Sequence, residues 1–311
     1  MNITQTPPRS WKTKGQYLLH ALRPAQWTKN SILFAAFVFA YGDRSLNITW
    51  QHGLRVIPAF ILFSMATSAV YLCNDLWDRK HDRQHPTKRH RPIAAGMVTP
   101  KLALATACLL LIVSLPIAAL LSPPFAIVLA AYLGLQILYS GLLKNIALLD
   151  VFIIASGFVL RAIAGAALLQ IPISPWLLIC TFLLALFLAL CKRRHEKASI
   201  EAGANARQRI SLQKYDLLLT DQLIGIVAAA TIVTYAIYTL WPDTIEKFGS
   251  AQLAYTLPIV MFGIFRYLDL LYRENKGDRP EKVLLTDLPI LGTILVYGVV
   301  VLTLFTKCNG Q

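Results

Sequence analysis

The sequence predicts an all-α, polytopic membrane protein of nine transmembrane helices, and three observations carry that reading. Hydrophobic residues make up 56% of the chain and charged residues only 15%, a balance that belongs to integral membrane proteins. Apolar runs close to the roughly 20 residues needed to cross a bilayer recur along its whole length. The cations are unevenly placed: with residue 1 on the cytoplasmic side, 24 of the 30 Lys and Arg residues fall on that side and 4 on the other, a strong positive-inside signal. Residues 1–311 read as one integral-membrane domain with 1–22 as a cytoplasmic N-terminal segment.

The formal charge of +14 is therefore a topology signal with a second use, binding anionic head groups or phosphates. No aromatic–basic interleaving favours nucleic acid, so the expected surroundings are the lipid bilayer. Five cysteines, Cys73, Cys108, Cys180, Cys191 and Cys308, form no C-x-x-C pair and read as small apolar fillers. A P-loop, G-x-S-x-G, H-E-x-x-H and dinucleotide fingerprint are all missing, and so is a solenoid repeat. The chemistry must be built from helix ends and cytoplasmic loops.

Taken in order, residues 1–22 hold Pro7, Pro8, Arg9, Trp11, Lys12 and Lys14, a basic and partly aromatic lead-in that lies on the cytoplasmic surface. It lacks the apolar core of a signal peptide, and no cleavage is expected. The first span, 26–42, opens through Arg23 to Asn30; Lys29 at its entry either snorkels to the interface or meets a phosphate. The second, 55–73, runs without a break into Tyr71-Leu-Cys-Asn-Asp-Leu-Trp-Asp-Arg-Lys-His-Asp82. At about 100° per residue, with Asp75 at zero, Asp82 falls near −20°, Tyr71 near −40°, Asp78 near −60° and Asn74 at the edge, near −100°. Three carboxylates, a phenol and an amide thus share one face. Like charges that close repel unless a cation neutralises them, and oxygen ligands on a partly open face suit Mg²⁺ bound together with substrate phosphates. The expectation is a Mg²⁺-diphosphate site at the membrane surface; the competing one is a solvated helix end paired with Arg79, Lys80 and Arg83.

His85 and Pro86 end that helix. Thr87, Lys88, Arg89, His90, Arg91 and Pro92 follow, before Gly96. Such a run is either a solvated loop or a set of cations brought to the phosphates of the acidic site, Lys as a point charge and Arg as a fork. Spans 102–121 and 124–142 are apolar and joined at Pro123 and Pro124 on the far side; Tyr139 to Lys144 is a second cytoplasmic polar edge. In span 149–169, Asp150, Gly157 and Arg161 share a stripe. Arg161 lies near mid-depth, where a charge costs on the order of 2.5–3.5 kcal/mol. It must hold a substrate phosphate in a cavity between helices, or pair with Asp150 or an acid of the second span.

Span 175–191 ends in Cys191-Lys-Arg-Arg-His-Glu-Lys197. Lys192 and Arg193 are candidates for phosphate or head-group contact, Arg207, Arg209 and Lys214 read as solvated cations ahead of Tyr215, and His195 reads as an ordinary exposed histidine. Spans 222–241, 250–271 and 286–305 form the cavity wall, with Arg266 and Asp269 at i, i+3 as a structural pair.

Asn74-Asp75-x-x-Asp78-x-x-x-Asp82 at the end of the second of nine spans resembles the first acidic motif of the UbiA superfamily of intramembrane prenyltransferases, which bind Mg²⁺-diphosphate over a central cavity. The likeness covers nearly the whole chain. The runs NDLWDRKHDRQHPTKRHRPIAAG, YSGLLKNIALLDVFIIASGFVLRAIAGA and FLALCKRRHE are similar to those of the branch that moves phosphoribose onto polyprenyl phosphates. The second acidic motif of ordinary prenyltransferases is replaced here by Lys192-Arg193-Arg194-His195-Glu196, which suits a donor with an extra phosphate or an acceptor that is itself a phosphate.

The resemblance implies a UbiA-like fold around a central cavity, Mg²⁺ as cofactor, 5-phosphoribosyl 1-diphosphate as donor and a polyprenyl (decaprenyl) phosphate as acceptor. It also implies a cell (inner) membrane location with cytoplasmic active-site loops and a place in cell-wall biogenesis; a homo-oligomer is allowed. Asp75, Asp78 and Asp82 would be catalytic, with Asn74 and Asp78 the primary metal ligands. Lys29, Tyr71, Lys88, Arg89, Lys192 and Arg193 would hold the donor, and Lys88, Lys144 and Arg161 the lipid phosphate. The alternatives are an ordinary prenyltransferase acting on an aromatic or quinone precursor, and a structural or transport protein, which would leave the acidic face unexplained.

Overall fold

The computed structural model describes residues 14–84, 88–202, 210–274, 277 and 280–309. Pro7, Pro8, Arg9, Trp11 and Lys12, His85 to Thr87, and Arg207 and Arg209 lie outside the described residues, as does the Cys308 side chain. Among the described residues all regular structure is helical. The helices are α1 (Lys14–Ala21), α2 (Leu33–Tyr41), α3 (Trp50–Trp77), α4 (Arg79–Asp82), α5 (Pro100–Leu121), α6 (Pro123–Gly141), α7 (Leu149–Leu169), α8 (Pro175–Glu201), α9 (Ile210–Gln213), α10 (Leu217–Leu240), α11 (Pro242–Phe248), α12 (Leu257–Tyr272), α13 (Pro280–Thr286) and α14 (Leu288–Asn309). Eight segments are long and apolar enough to cross a membrane: α3, α5, α6, α7, α8, α10, α12 with the turn before it, and α14.

The ninth expected span, 26–42, is not one helix. Pro24–Ile32 forms a 3₁₀ segment and only then does α2 begin. The polar run within it is the cause: the Thr28 hydroxyl donates to Ala25 O at 3.0 Å and the Ser31 hydroxyl to Thr28 O at 2.7 Å, and local side-chain bonds of this kind compete with the α-helical ladder. The stretch still runs the length of its neighbour. Arg23 meets Asp75, Trp27 Nε1 donates to Ser68 Oγ at 2.9 Å, Asn30 Nδ2 donates to Ser64 Oγ at 3.0 Å, and Phe37 packs on Gly53. That is antiparallel pairing with α3 from end to end. Nine 3₁₀ residues at about 2.0 Å and nine α residues at about 1.5 Å reach roughly 31 Å, the hydrocarbon thickness.

Helix starts follow local chemistry. Thr99 Oγ1 accepts from Leu102 N at 3.3 Å with Pro100 at the first position of α5, and Asp216 caps α10 through Leu219 N at 2.8 Å, each satisfying a donor left open at a helix start. Ser122 makes the same cap for α6 in the tight turn that joins it to α5.

Two of the buried hydrophobic clusters draw on α7, one from each end of that helix. Leu33, Phe63, Phe125, Leu129 and Leu168 fill one, drawn from α2, α3, α6 and α7; Ala155, Phe187, Ile224, Tyr267 and Leu270 fill the other, from α7, α8, α10 and α12. In α3 and α7, 56% of the most apolar window is buried, against 17% in α5, α6 and α14, so the first two are inner helices and the last three turn most of their surface to lipid. At the end of the molecule away from the acidic motif, Arg44 N donates to Lys247 O at 3.0 Å, and Lys247 Nζ lies 3.9 Å from Asp43.

Gly165 lets α7 approach the start of α2. A Cβ built there would lie 2.2 Å from the Leu33 carbonyl oxygen, backbone against backbone. Gly165→Ala should therefore destabilise the protein by about 1–3 kcal/mol, seen as a lower thermal midpoint in detergent; an unchanged midpoint would show that the two helices are free to part.

Candidate functional site

The last turn of α3 carries the acidic motif, and the helix breaks within it. Asp78 N still donates to Asn74 O at 2.9 Å, but Asp78 has φ −83° and ψ 0°, and α4 begins at Arg79. Asp75 and Asp82, both buried, do share a face, and Arg91 NH1 bridges them at 3.1 and 2.7 Å; Arg23 closes on Asp75 from the other side. Asp78 points elsewhere: its side chain is 38% exposed, with Lys144 Nζ 3.2 Å from Oδ1. The expected face of three carboxylates is thus a pair plus one.

This bears on the metal. Among the described residues no group of three or more His, Cys, Asp or Glu side chains is placed to hold an ion. Mg²⁺ rarely needs such a cage: it keeps waters and binds through one or two carboxylates plus substrate phosphates. Asn74 and Asp78, both partly exposed, fit that mode, and the Lys144 ammonium already sits where a cation would face Asp78. Asp75 and Asp82 do not fit it as directly, since each is occupied by guanidinium groups; what they do in this structure is fix Arg23 and Arg91.

Arg23 has φ 54°, a left-handed conformation uncommon outside glycine, and this turn swings its guanidinium over the Tyr71 ring at 5.1 Å and onto Asp75. Lys29 is half-buried at the start of the first traverse. Lys88 and Arg89 are exposed in a short 3₁₀ turn, where Arg89 Nε donates to His90 Nε2 at 3.3 Å. Arg83 Nε donates to Ala94 O at 3.0 Å and ties this loop back to the helix end.

Of the second basic cluster, Lys192 is half-buried and Arg193 is turned inward. Arg193 Nε donates to Asp150 Oδ2 at 2.8 Å and NH1 to Glu196. The Tyr215 hydroxyl donates to Asp150 Oδ1 at 2.6 Å and accepts from Leu148 N at 3.0 Å. Burial, and then the neighbouring Asp150 carboxylate, raises the pKa of the Tyr215 phenol. Asp150, Arg193 and Tyr215 therefore lock the entry of α7 to the exit of α8. His195 is not simply exposed, since its Nδ1 accepts from Gly277 N at 3.3 Å. Arg266 pairs with Asp269 at 2.7 Å as expected, and also with Asp287 at 2.8 Å.

Arg161 has a different setting. Its Nε donates to Asn30 Oδ1 at 2.8 Å, NH1 to Gly157 O at 2.9 Å and NH2 to the Tyr132 hydroxyl at 2.7 Å, with the rings of Tyr132, Phe158 and Phe63 at 4.7, 5.1 and 5.8 Å. Asn30 in turn donates to Ser64 and Thr67. Asp150 is already taken by Arg193, so the pairing of Arg161 with Asp150 does not occur. Among the described residues this buried guanidinium has no carboxylate partner at all.

Sequence reasoning did not single out Arg23, Asn30, Tyr132 or the pairing of Arg193 with Asp150. Asn30 stands in a polar run that gives it no mark of its own, and for the others the signal lies in contacts 29 to 52 residues apart.

Residues 31–286 match the UbiA prenyltransferase family. The chain is 36% identical over 276 residues to the decaprenyl-phosphate phosphoribosyltransferase of Mycolicibacterium smegmatis, spanning 87% of this chain and 86% of that protein. It is 32% identical over 305 residues to the protein of the same name from Corynebacterium glutamicum, spanning 96% and 89%. In three dimensions it is similar to a UbiA homolog from Archaeoglobus fulgidus bound to GPP and Mg²⁺, with a TM-score of 0.67 over 95% of this chain and all of that one, at 18% identity, a likeness of fold.

Asp150→Ala should cost about 3–5 kcal/mol of stability, because it leaves a deeply buried guanidinium short of its partner. Denaturant or thermal unfolding of the full-length protein in detergent measures it, and a loss below about 1 kcal/mol would mean that Glu196 and solvent serve Arg193 well enough.

Proposed function

The chain belongs to the UbiA prenyltransferase family, and from that premise we propose that it transfers 5-phosphoribose from 5-phosphoribosyl 1-diphosphate to decaprenyl phosphate or a closely similar polyprenyl phosphate, releasing diphosphate. The bond from the sugar C1 to the diphosphate oxygen breaks, and C1 joins a phosphate oxygen of the lipid. The observation that carries this reading is the Arg161 guanidinium, buried among neutral acceptors and, among the described residues, with no carboxylate. An uncompensated cation within a membrane protein calls for an anionic partner, and a lipid phosphate is one, whereas an aromatic acceptor is not. The two relatives named for decaprenyl-phosphate phosphoribosyl transfer, each alignable over most of both chains, support the same choice.

The residues divide the work by position. Asn74 and Asp78 would hold a divalent cation, for which we propose Mg²⁺, carried in with the donor diphosphate. When bound, that ion neutralises the departing diphosphate as positive charge grows at the sugar carbon. Asp75 and Asp82 keep Arg23 and Arg91 aimed over the same helix end, with Tyr71 supporting Arg23 from below. Lys29, Lys88, Arg89 and Lys192 supply the remaining charge for the donor phosphates, and Arg193 serves by anchoring the turn that bears Lys192. Lys144 and Arg161 receive the lipid phosphate, and Lys88 lies in the loop at the same helix ends. That phosphate is already an anion, so no strong general base is required.

The protein is a multi-pass membrane transferase. The concentration of Lys and Arg on one side supports placing the acidic motif and its loops in the cytoplasm of the cell that bears it, where a soluble sugar diphosphate is at hand.

Purified protein given Mg²⁺, labelled phosphoribosyl diphosphate and polyprenyl phosphate should yield labelled lipid. Asp78→Ala, or removal of the metal by a chelator, should lower turnover by about a hundredfold or more. Transfer from a prenyl diphosphate to an aromatic acceptor, with no labelled phosphoribosyl lipid, would overturn the reading.

A further inference from the structure

The polar groups around Arg161 do not end with those it touches. On α6, one turn beyond Tyr132 toward the acidic end, stands Gln136, an amide on a helix that is otherwise apolar along this stretch. Among the described residues it makes no hydrogen bond, although it is only partly exposed. An amide in that position costs free energy unless something meets it.

Gly157 fixes where that something would lie. A Cβ built on Gly157 would sit 3.5 Å from Arg161 NH1, 3.5 Å from Gln136 Nε2 and 3.6 Å from the Tyr132 ring. The absent methyl thus marks a small space with a guanidinium nitrogen on one side and an unpartnered amide nitrogen on the other. The two nitrogens can be no more than about 7 Å apart, the sum of those distances. Two hydrogen bonds of about 2.9 Å each plus the edge of a phosphate bridge such a gap. Arg161 retains N–H donors beyond the three bonds described, since a guanidinium carries five.

The depth also suits a lipid phosphate. Gln136 is five residues from the end of α6, about 8 Å at roughly 1.5 Å per residue. The Arg161 side chain leans toward the N-terminus of α7, as helical side chains do, and reaches the Gly157 carbonyl, eight residues or about 12 Å from the start of that helix. The space therefore lies roughly 10 Å below the helix ends that carry Lys144 and Asp78, rather than at mid-membrane where the Arg161 backbone sits.

We propose that Gln136, with Arg161 across the gap left by Gly157, forms the seat for the phosphate of the lipid acceptor, so that Gln136 is an acceptor-binding residue. This rests on the reading of the acceptor as a polyprenyl phosphate. The amide donates to a phosphate oxygen, Arg161 supplies the charge, and the isoprenoid tail continues into the apolar space between the helices. Gln136 also helps to discriminate: a neutral polyprenol has no oxyanion to satisfy both donors.

The test is steady-state kinetics on the full-length protein in detergent, with KM measured separately for polyprenyl phosphate and for phosphoribosyl diphosphate. Gln136→Leu should raise the acceptor KM about tenfold, the loss of one hydrogen bond to a charged group, and leave the donor KM in place. Gly157→Ala should do likewise while the thermal midpoint stays level or rises, because its methyl fits at ordinary contact distance and alanine favours the helix; this variant separates a blocked seat from a damaged fold. Gln136→Glu puts a carboxylate opposite Arg161 and should abolish saturation by the acceptor. If wild type makes labelled lipid and the acceptor KM of all three variants stays within twofold, the seat is refuted while the reaction stands. A parallel rise in both KM values also refutes it. Failure of wild type itself to make labelled lipid refutes the reading beneath it.

Discussion

A single uncompensated charge sets the terms for the inner half of this protein. Arg161 is buried in a helix long and apolar enough to cross a membrane, and a guanidinium there must be met by groups the protein itself supplies. Asn30 from the first traverse, Tyr132 from α6 and the Gly157 carbonyl of α7 each take one of its hydrogen bonds, and Asn30 passes the connection on to Ser64 and Thr67 of α3. Four transmembrane elements are thereby held in register by one side chain. Hydrophobic contact alone gives little directional preference between helices in lipid; packing and polar bonds between them do.

At the end that bears the acidic motif, five acids are each matched to a base from a different element. Asp75 takes Arg23 and Arg91, Asp82 takes Arg91, Asp78 takes Lys144, Asp150 takes Arg193, and Asp221 takes Arg194 beside Tyr272. The more exposed of these pairs contribute little to stability on their own. Their consequence is for the chemistry: cations that would otherwise repel one another are kept close together without substrate. Asp78 is the most exposed of the acidic trio, so its partner is the easiest to exchange.

The spans and the acidic motif were legible because each depends on local pattern: run length and the order of side chains along one helix. The i, i+3 pairing of Arg266 with Asp269 was legible for the same reason. Projection onto an ideal helix puts Asp82 nearer to Asp75 than Asp78 is, and the partners follow that order: Arg91 bridges Asp75 and Asp82, while Asp78 meets Lys144. Arg193 was read as a phosphate or head-group contact because it stands in a basic run, and only the fold reveals Asp150, 43 residues earlier, as its partner. Arg161 was readable as a buried charge needing company; that its company is an amide, a phenol and a carbonyl was not. The first traverse was expected as a plain helix, since hydropathy registers apolar content and not the hydroxyl bonds that tighten Pro24–Ile32 into a 3₁₀ turn.

That tightened stretch has a bearing on biogenesis. A segment holding Trp27, Lys29 and Asn30 in narrow 3₁₀ coils is a poor candidate for release from the translocation machinery into lipid by itself, because its polar side chains would meet only acyl chains. Its Trp27 and Asn30 bonds go to α3, the next transmembrane stretch to leave the ribosome. The two are suited to enter the bilayer together as a hairpin, already zipped by Trp27 on Ser68 and Asn30 on Ser64, so that the first pair of crossings partitions as one unit.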